Sequence, residues 1–338
     1  MQRLTLYLAI FILLISSIQA QNVIAIQNGS DPNFYTNLDS AIVHANNGDT
    51  IYIPGGTFTV NAIIDKSIHI IGIGHNPDSS QATRVTTLNG GVGYISFTSN
   101  ASNGAIIGIK LGSPMHFNGV NDYLIQYCNT SNVSFISAYS ENFTFINNVI
   151  GWISVNGRNC VFLNNIFPNG VAQETCSNSI FKNNIFLSND YCQYALNVPL
   201  YSLNSIVENN VFLDSNSYCT WANLCTNSIF NNNLFVEDWL IPEVCYGSGN
   251  ITNQTQSSIF VYQIGNYFSY DHDYHMQLNC SGKNAGTDGT DIGIFGGPFP
   301  WKEGSIPPNP HIQYKTIAGS TDQNGNLNVN IKVSAQDH

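Results

Sequence analysis

Charge is the scarcest property of this sequence. Asp, Glu, Lys and Arg make up 9% of 338 residues, with ten cations against 21 acids and a net charge of −11. So acidic a chain repels phosphate backbones, and no nucleic-acid partner is expected. Polyanionic substrates become unnatural for the same reason, unless a local basic patch overrides the average. After the first fifteen residues no apolar run approaches the roughly 20 residues needed to cross a bilayer as a helix. The eight cysteines contain no Cys-x-x-Cys pair, so no metal site is expected. A regular leucine framework is also missing, which removes the leucine-rich repeat as an architecture.

The N-terminus is the exception to the missing apolar runs. Met1-Gln2-Arg3 is a short basic start, Leu4 to Ile15 is almost unbroken in its apolarity, and Ala20 ends a small-residue stretch suited to cleavage. Residues 1–20 are therefore expected to be a signal peptide. The mature chain is expected to be exported to the periplasm, cell surface or medium, without a membrane span and as a monomer. Its 28 glycines and its β-branched and aromatic apolar set suit sheet over helix.

A repeat organises the middle of the chain. Five segments share the pattern apolar, any, Asn, Asn, apolar, apolar: they begin at Phe145, Phe162, Phe181, Val207 and Phe230. Their second asparagines are Asn148, Asn165, Asn184, Asn210 and Asn233, at intervals of 17, 19, 26 and 23 residues. A constant motif with an elastic spacer describes a solenoid whose loops absorb insertions on one side. Each motif is too short for a helix, and paired Asn residues favour turns and the left-handed backbone region, so the unit reads strand, Asn turn, strand. One Asn per corner is expected to take that conformation with its amide turned inward. Stacked corners then form a hydrogen-bonded Asn ladder, satisfying groups whose burial otherwise costs about 1 to 3 kcal/mol each. The fold class predicted is all-β, a single-stranded right-handed parallel β-helix.

The entry to the solenoid is legible too. Leu38, Ile42 and Ala45 fall on one helical face and Asn46-Asn47-Gly48 ends the helix with turn chemistry. The run DSAIVHANNGDTIYIPGGTFTV, with SIHIIGIG after it, resembles the N-terminal cap and first coils of the pectate-lyase-like β-helix superfamily. That resemblance implies a short capping helix over the open end of the stack. Near the other end, Asp271-His-Asp-Tyr-His-Met, followed by Asp291-Ile-Gly-Ile-Phe-Gly-Gly297, is similar to the closing segment of exported bacterial β-helix proteins. The middle of that segment, Asn279-Cys280-Ser281-Gly282-Lys283, departs from their pattern. The β-helix domain is placed at 21–297. Residues 298–338, which open with Pro298, Pro300, Pro307, Pro308 and Pro310, are read as a Pro-rich linker and one terminal strand along the solenoid flank or its last edge.

Cys176, Cys192, Cys219 and Cys245 each fall eight to twelve residues after a marker Asn, and Cys225 lies nearby. Stacked coils stand about 4.8 Å apart, within disulfide reach, so one or two bridges are expected among these five. Cys128, Cys160 and Cys280 read as buried thiols. Chemistry is harder to find. β-helix lyases need Arg or Lys beside carboxylates that hold Ca²⁺, and the coils offer only Lys110, Arg158 and Lys182. β-helix hydrolases need paired Asp residues, and no Asp-Asp, Asn-Thr-Asp or His-Gly run occurs. Asp271, His272, Asp273 and His275 are the densest polar group, read as a terminal capping turn. Tyr191, Tyr218, Trp221 and Trp239 are the candidate binding residues, with Tyr194 and Tyr201 beside them, since exposed rings suit sugar faces. The function expected is thus an exported β-helix protein that binds an extracellular polysaccharide, with no cofactor. A polysaccharide lyase or glycoside hydrolase, with Ca²⁺ if a lyase, and a structural or adhesive surface protein stand as alternatives.

Overall fold

A computed structural model describes residues 23–29, 31–79, 83–136, 140–154, 157–169, 176–187, 202–213, 225–236, 238, 240–241 and 243–334. Short strands stack in register into a right-handed parallel β-helix. The first sheet has 12 strands; apart from the entry strands Ile24–Asn28 and Asp31–Tyr35, which run antiparallel, all are parallel, from Thr50–Tyr52 to Tyr246–Ser248. A second, 9-stranded sheet runs alongside from Gly56–Val60 to Leu234–Phe235. The third side is divided between a 4-stranded sheet in the early coils and a 5-stranded sheet in the later ones.

The entry helix α1 spans Leu38–His44. The Asn37 side chain caps it by accepting from the Ser40 amide at 2.9 Å. Lys66 Nζ closes the other end, donating to the carbonyls of Val43 and Ala45 at 2.6 and 2.8 Å. Leu38, Ala41 and Ile42 are buried against the first coils, in one cluster with Ile24, Ile26 and Ile51.

From Ala105–Ile107 to Ile229–Asn231, two corners flank each strand of the first sheet, and both are turned by a residue in the left-handed region. Asn142, Asn159, Asn178, Asn204 and Asn227 turn the chain into this sheet at φ between 51° and 61°. Five residues later Asn147, Asn164, Asn183, Asn209 and Asn232 turn it out again at φ between 50° and 58°. These are the first asparagines of each Asn-Asn pair. The second asparagines point inward. Asn184 Oδ1 accepts from the Asn165 amide nitrogen at 2.9 Å, and Asn184 Nδ2 donates to Asn210 Oδ1 and to the Phe162 carbonyl, each at 2.9 Å. The same bonds recur at Asn148, Asn165, Asn210 and Asn233. The expectation that one Asn both takes the left-handed conformation and turns its amide inward is therefore corrected: the pair divides these tasks. A left-handed Asn at the corner aims its side chain away from the core, and only its successor can reach along the stack.

The ladder is one rung longer than the Asn-Asn motif. Gly249 at φ 71° takes the turning position, and Asn250 Oδ1 accepts from Asn233 N and Nδ2 at 3.0 Å. At the other end Cys128 stands where the next Asn would be, its amide donating to Asn148 Oδ1 at 2.8 Å. The opposite corner carries a shorter serine ladder, in which Cys160, Ser179 and Ser205 amides donate to the hydroxyls of Ser179, Ser205 and Ser228 at 3.0 to 3.1 Å. Inside, aromatic rings stack at the rung spacing: Phe162 lies 4.7 Å from Phe145 and 4.5 Å from Phe181, nearly parallel to both. A second file runs through Phe167, Phe186, Phe212 and Phe235 at 4.6 to 4.9 Å.

Strand register excludes one pairing among the five cysteines, that of Cys176 with Cys225. Cys176 stands opposite Ser202, and Ser202 opposite Cys225. Two rungs, roughly 9.6 Å, separate the two cysteines, beyond the ~7 Å limit for a bridge. Cys225 and Cys245 are buried thiols, and burial pushes the Cys225 thiol up to about 11. Cys192 and Cys219 lie outside the described residues. Cys128, Cys160 and Cys280 are buried.

Replacing Asn184 by Ala removes four buried hydrogen bonds, to Asn165, Phe162 and Asn210 on the neighbouring coils. Thermal or denaturant unfolding of Asn184→Ala is expected to show a loss of about 3 kcal/mol, against about 0.5 kcal/mol or less for the surface substitution Asn324→Ala. Equal losses would refute a stabilising ladder.

Candidate functional site: a cavity along the C-terminal seam

The two residues after each Asn-Asn pair face opposite sides of the second sheet. The second of them, Phe167, Phe186, Phe212 or Phe235, enters the core. The first, Ile166, Ile185, Val211 or Leu234, faces outward and is nonetheless fully buried. What covers it is the C-terminal part of the chain. Phe260–Tyr262 and Asp273–Met276 form an antiparallel hairpin, and Phe260, Tyr274, Met276, Ile292 and Ile294 pack onto the outward residues as a second apolar cluster.

Beyond the hairpin the chain travels back along the outside of the stack, held by the turning asparagines. Asn232 Nδ2 donates to the Ala285 carbonyl at 2.8 Å, and Asn209 exchanges bonds with Thr287 at 3.0 and 3.2 Å. Asn183 Nδ2 donates to the Gly293 carbonyl at 3.2 Å, Asn164 Nδ2 to Ile294 and Gly296 at 2.8 and 2.7 Å, and Asn147 Nδ2 to Phe299 at 3.2 Å. Residues 285–299 therefore form a strap that descends one coil at a time. Gly296 is required in it, since a Cβ there would stand 1.9 Å from the Asp291 carbonyl oxygen. The strap continues past 297: Ser305, Ile306 and Pro307 are buried near Gly74 and Gly108 of the early coils. Only after them does the chain leave, and Val329–Ser334 pairs antiparallel with His311–Ile317. The terminal strand expected along the solenoid instead finds its partner within the tail, because the tail supplies a second alternating segment.

Between the hairpin and the strap lies a cavity of about 540 Å³ with Ile166 in its lining. Phe268, Tyr270, Tyr274, Phe295 and Trp301 supply aromatic surface, and Asp273, Glu303, His272, Asn76 and Ser79 supply polar groups. Tyr270 fixes one wall. Its hydroxyl donates to the His75 carbonyl at 3.0 Å, accepts from Asn129 Nδ2 at 2.9 Å and meets His75 Nδ1 at 2.9 Å. Asp273 Oδ1 accepts from the His275 amide at 3.0 Å and from its Nδ1 at 2.7 Å, while the His275 ring stacks on Phe295 at 3.6 Å. Partial burial opposes ionisation of Asp273, but these hydrogen bonds outweigh it and hold the carboxyl below its ordinary value. Desolvation lowers the His272 imidazole, which is hydrogen-bonded to the Tyr274 hydroxyl at 3.2 Å.

A glycosidase needs one carboxyl raised to donate a proton and a second that stays ionised, and Asp273, held low, suits only the second role. Among the described residues no three His, Cys, Asp or Glu side chains converge as metal ligands. Lys182, one of the three coil cations, is 2.8 Å from Glu208 on the next rung and 3.9 Å from Asp288 of the strap, so it ties strap to solenoid. Of the polar group at 271–275, His272 and Asp273 line the cavity, and the Asp273–His275 hydrogen bond lies beside it. Tyr191, Tyr194, Tyr201, Tyr218, Trp221 and Trp239 all lie outside the described residues. Phe268, Tyr270, Tyr274, Phe295, Trp301 and Glu303 were not singled out by sequence; the aromatic run FSYDHDYH was the available signal. Neither a protein-family profile nor a curated protein matches the chain, and the right-handed parallel β-helix is the class that its strands define.

Burial, with a smaller contribution from the Lys110 charge, pushes the His75 imidazole down to about 3 from 6.5. The unfolded chain therefore takes up a proton at His75 between pH 6.5 and 3 while the folded chain does not, and stability falls as pH drops through that window. His75→Gln removes this titration. Its stability is expected to fall less steeply between pH 6.5 and 4, measured by thermal unfolding, and identical slopes in both proteins would count against the assignment.

Proposed function

We propose that this chain is an exported protein of the pectate-lyase-like β-helix superfamily whose function is to bind carbohydrate, with the seam cavity as the binding site. The observation that carries the reading is the cavity lining. Aromatic rings stand beside hydrogen-bonding groups that have capacity left over, the combination a sugar ring needs for its C–H face and its peripheral hydroxyls. Its volume falls within the ordinary range of small-ligand sites. Rigid support favours binding as well, because both walls are anchored to the stack, one through Tyr270 and His75 and the other through the strap. The export expectation and the superfamily resemblance rest on the leader and on the two terminal motifs described above.

The test is calorimetric titration of the full mature chain with a panel of short oligosaccharides, accompanied by assays for new reducing ends and unsaturated uronates. Saturable binding is expected, without product release, and Phe268→Ala or Trp301→Ala should weaken it about tenfold while circular dichroism shows the β-helix retained. Cleavage products would move the reading to a hydrolase or lyase, and absence of binding across the panel would refute it.

A further inference from the structure

We infer that the sugar this cavity takes is a cationic amino sugar, seated with its ammonium group between Asp273 and Glu303. The inference rests on the carbohydrate reading above and narrows it to a ligand class.

Charge balance within the lining is the first ground. Asp273 and Glu303 are its two carboxylates, and the lining contains no Lys or Arg. Lys302, next to Glu303 in sequence, lies over the Tyr127 ring at 6.0 Å from its centroid. His272, the remaining titratable cation among these residues, is shifted toward its neutral form by desolvation. Unused bonding capacity is the second ground. Both bonds to Asp273 fall on Oδ1, which leaves Oδ2 without a hydrogen bond among the described residues, and the Glu303 carboxylate makes none there either. The His275 Nδ1 contact to Oδ1 orients the Asp273 carboxylate and leaves Oδ2 facing no hydrogen-bond partner among the described residues.

Aromatic surface is the third ground. The faces of Phe268, Tyr274, Phe295 and Trp301 carry negative quadrupole density, which attracts an ammonium group as well as a sugar C–H face. A uronate would meet the opposite situation. Its carboxylate would enter a partly desolvated site that already holds two like charges, on a chain of net charge −11. A neutral sugar would be tolerated, but would leave the Asp273 and Glu303 carboxylates paired only with hydroxyls.

The experiment compares four probes by calorimetry on the full mature chain: a glucosamine trisaccharide, its N-acetylated counterpart, cellotriose and trigalacturonate. The glucosamine trisaccharide is expected to bind about tenfold more tightly than the N-acetylated one, and the advantage should shrink as salt rises from 20 to 500 mM. Glu303→Gln, a substitution at an exposed side chain, should remove much of the advantage, as should Asp273→Asn if it folds. Asp31→Asn, an exposed acid on the entry strand, serves as the control for unspecific attraction and should leave it intact. Equal affinity for the glucosamine and N-acetylated probes, strongest binding of trigalacturonate, or an equal effect of Asp31→Asn would overturn the amino-sugar assignment while leaving carbohydrate binding standing. Failure of all four probes would remove both.

Discussion

Every coil of this solenoid must turn a buried corner without leaving peptide groups unpaired, and in the five coils from Asn147 to Asn233 the paired asparagines are the solution on which the strap and the site depend. A corner needs a residue in the left-handed region, which most side chains resist and Asn accepts. It also needs donors and acceptors inside the stack that can be satisfied only from the coils above and below. One residue cannot meet both needs, because the left-handed turn swings its own side chain outward. Two consecutive asparagines can. Asn183 turns at φ 58° and Asn184 bonds to Asn165 and Asn210 along the stack.

The outward amide of each turning Asn then becomes a resource. Five of them form an outer ladder that holds the strap at 285–299 through its carbonyls and Thr287. The strap in turn permits a parallel sheet that is apolar on both faces, the condition parallel sheets usually require. It does so by covering Ile166, Ile185, Val211 and Leu234. The cavity follows from this arrangement, since it opens where the hairpin and strap meet over Ile166 and are pinned to the early coils through Tyr270 and His75. Fold and site therefore share one cause, the chemistry of the corner.

Much of the solenoid could be read from sequence because its signal is local. The Asn-Asn motif, its elastic spacing, and the helix marked by Leu38 and Ile42 all depend on neighbours within a few residues. Three features escaped. The Ser ladder and its turning asparagines lie five residues ahead of the motif, where Asn159-Cys160 and Asn178-Ser179 share a conformation more than an identity. Asn250 escaped because Gly249 replaced the first Asn of its pair. The strap escaped because Asn164 and Gly296 are 132 residues apart, although two consecutive apolar residues after each Asn pair, where strict alternation would expose one, did imply a cover. The cavity was half visible. His272 and Asp273 stood out as a polar cluster, while Trp301 and Glu303 reach it only because the strap returns along the stack.

The division of labour within the Asn pair is the central claim, and native-state hydrogen exchange on Asn164→Gly/Asn183→Gly tests it most directly. Glycine keeps the left-handed turns and removes only the outward amides. The prediction is that amides in 285–299, including Gly293, which donates to the Asn209 carbonyl, lose protection, while those of Asn148 and Asn165 in the inner ladder retain it. Loss of protection throughout the solenoid, or no loss in the strap, would contradict it.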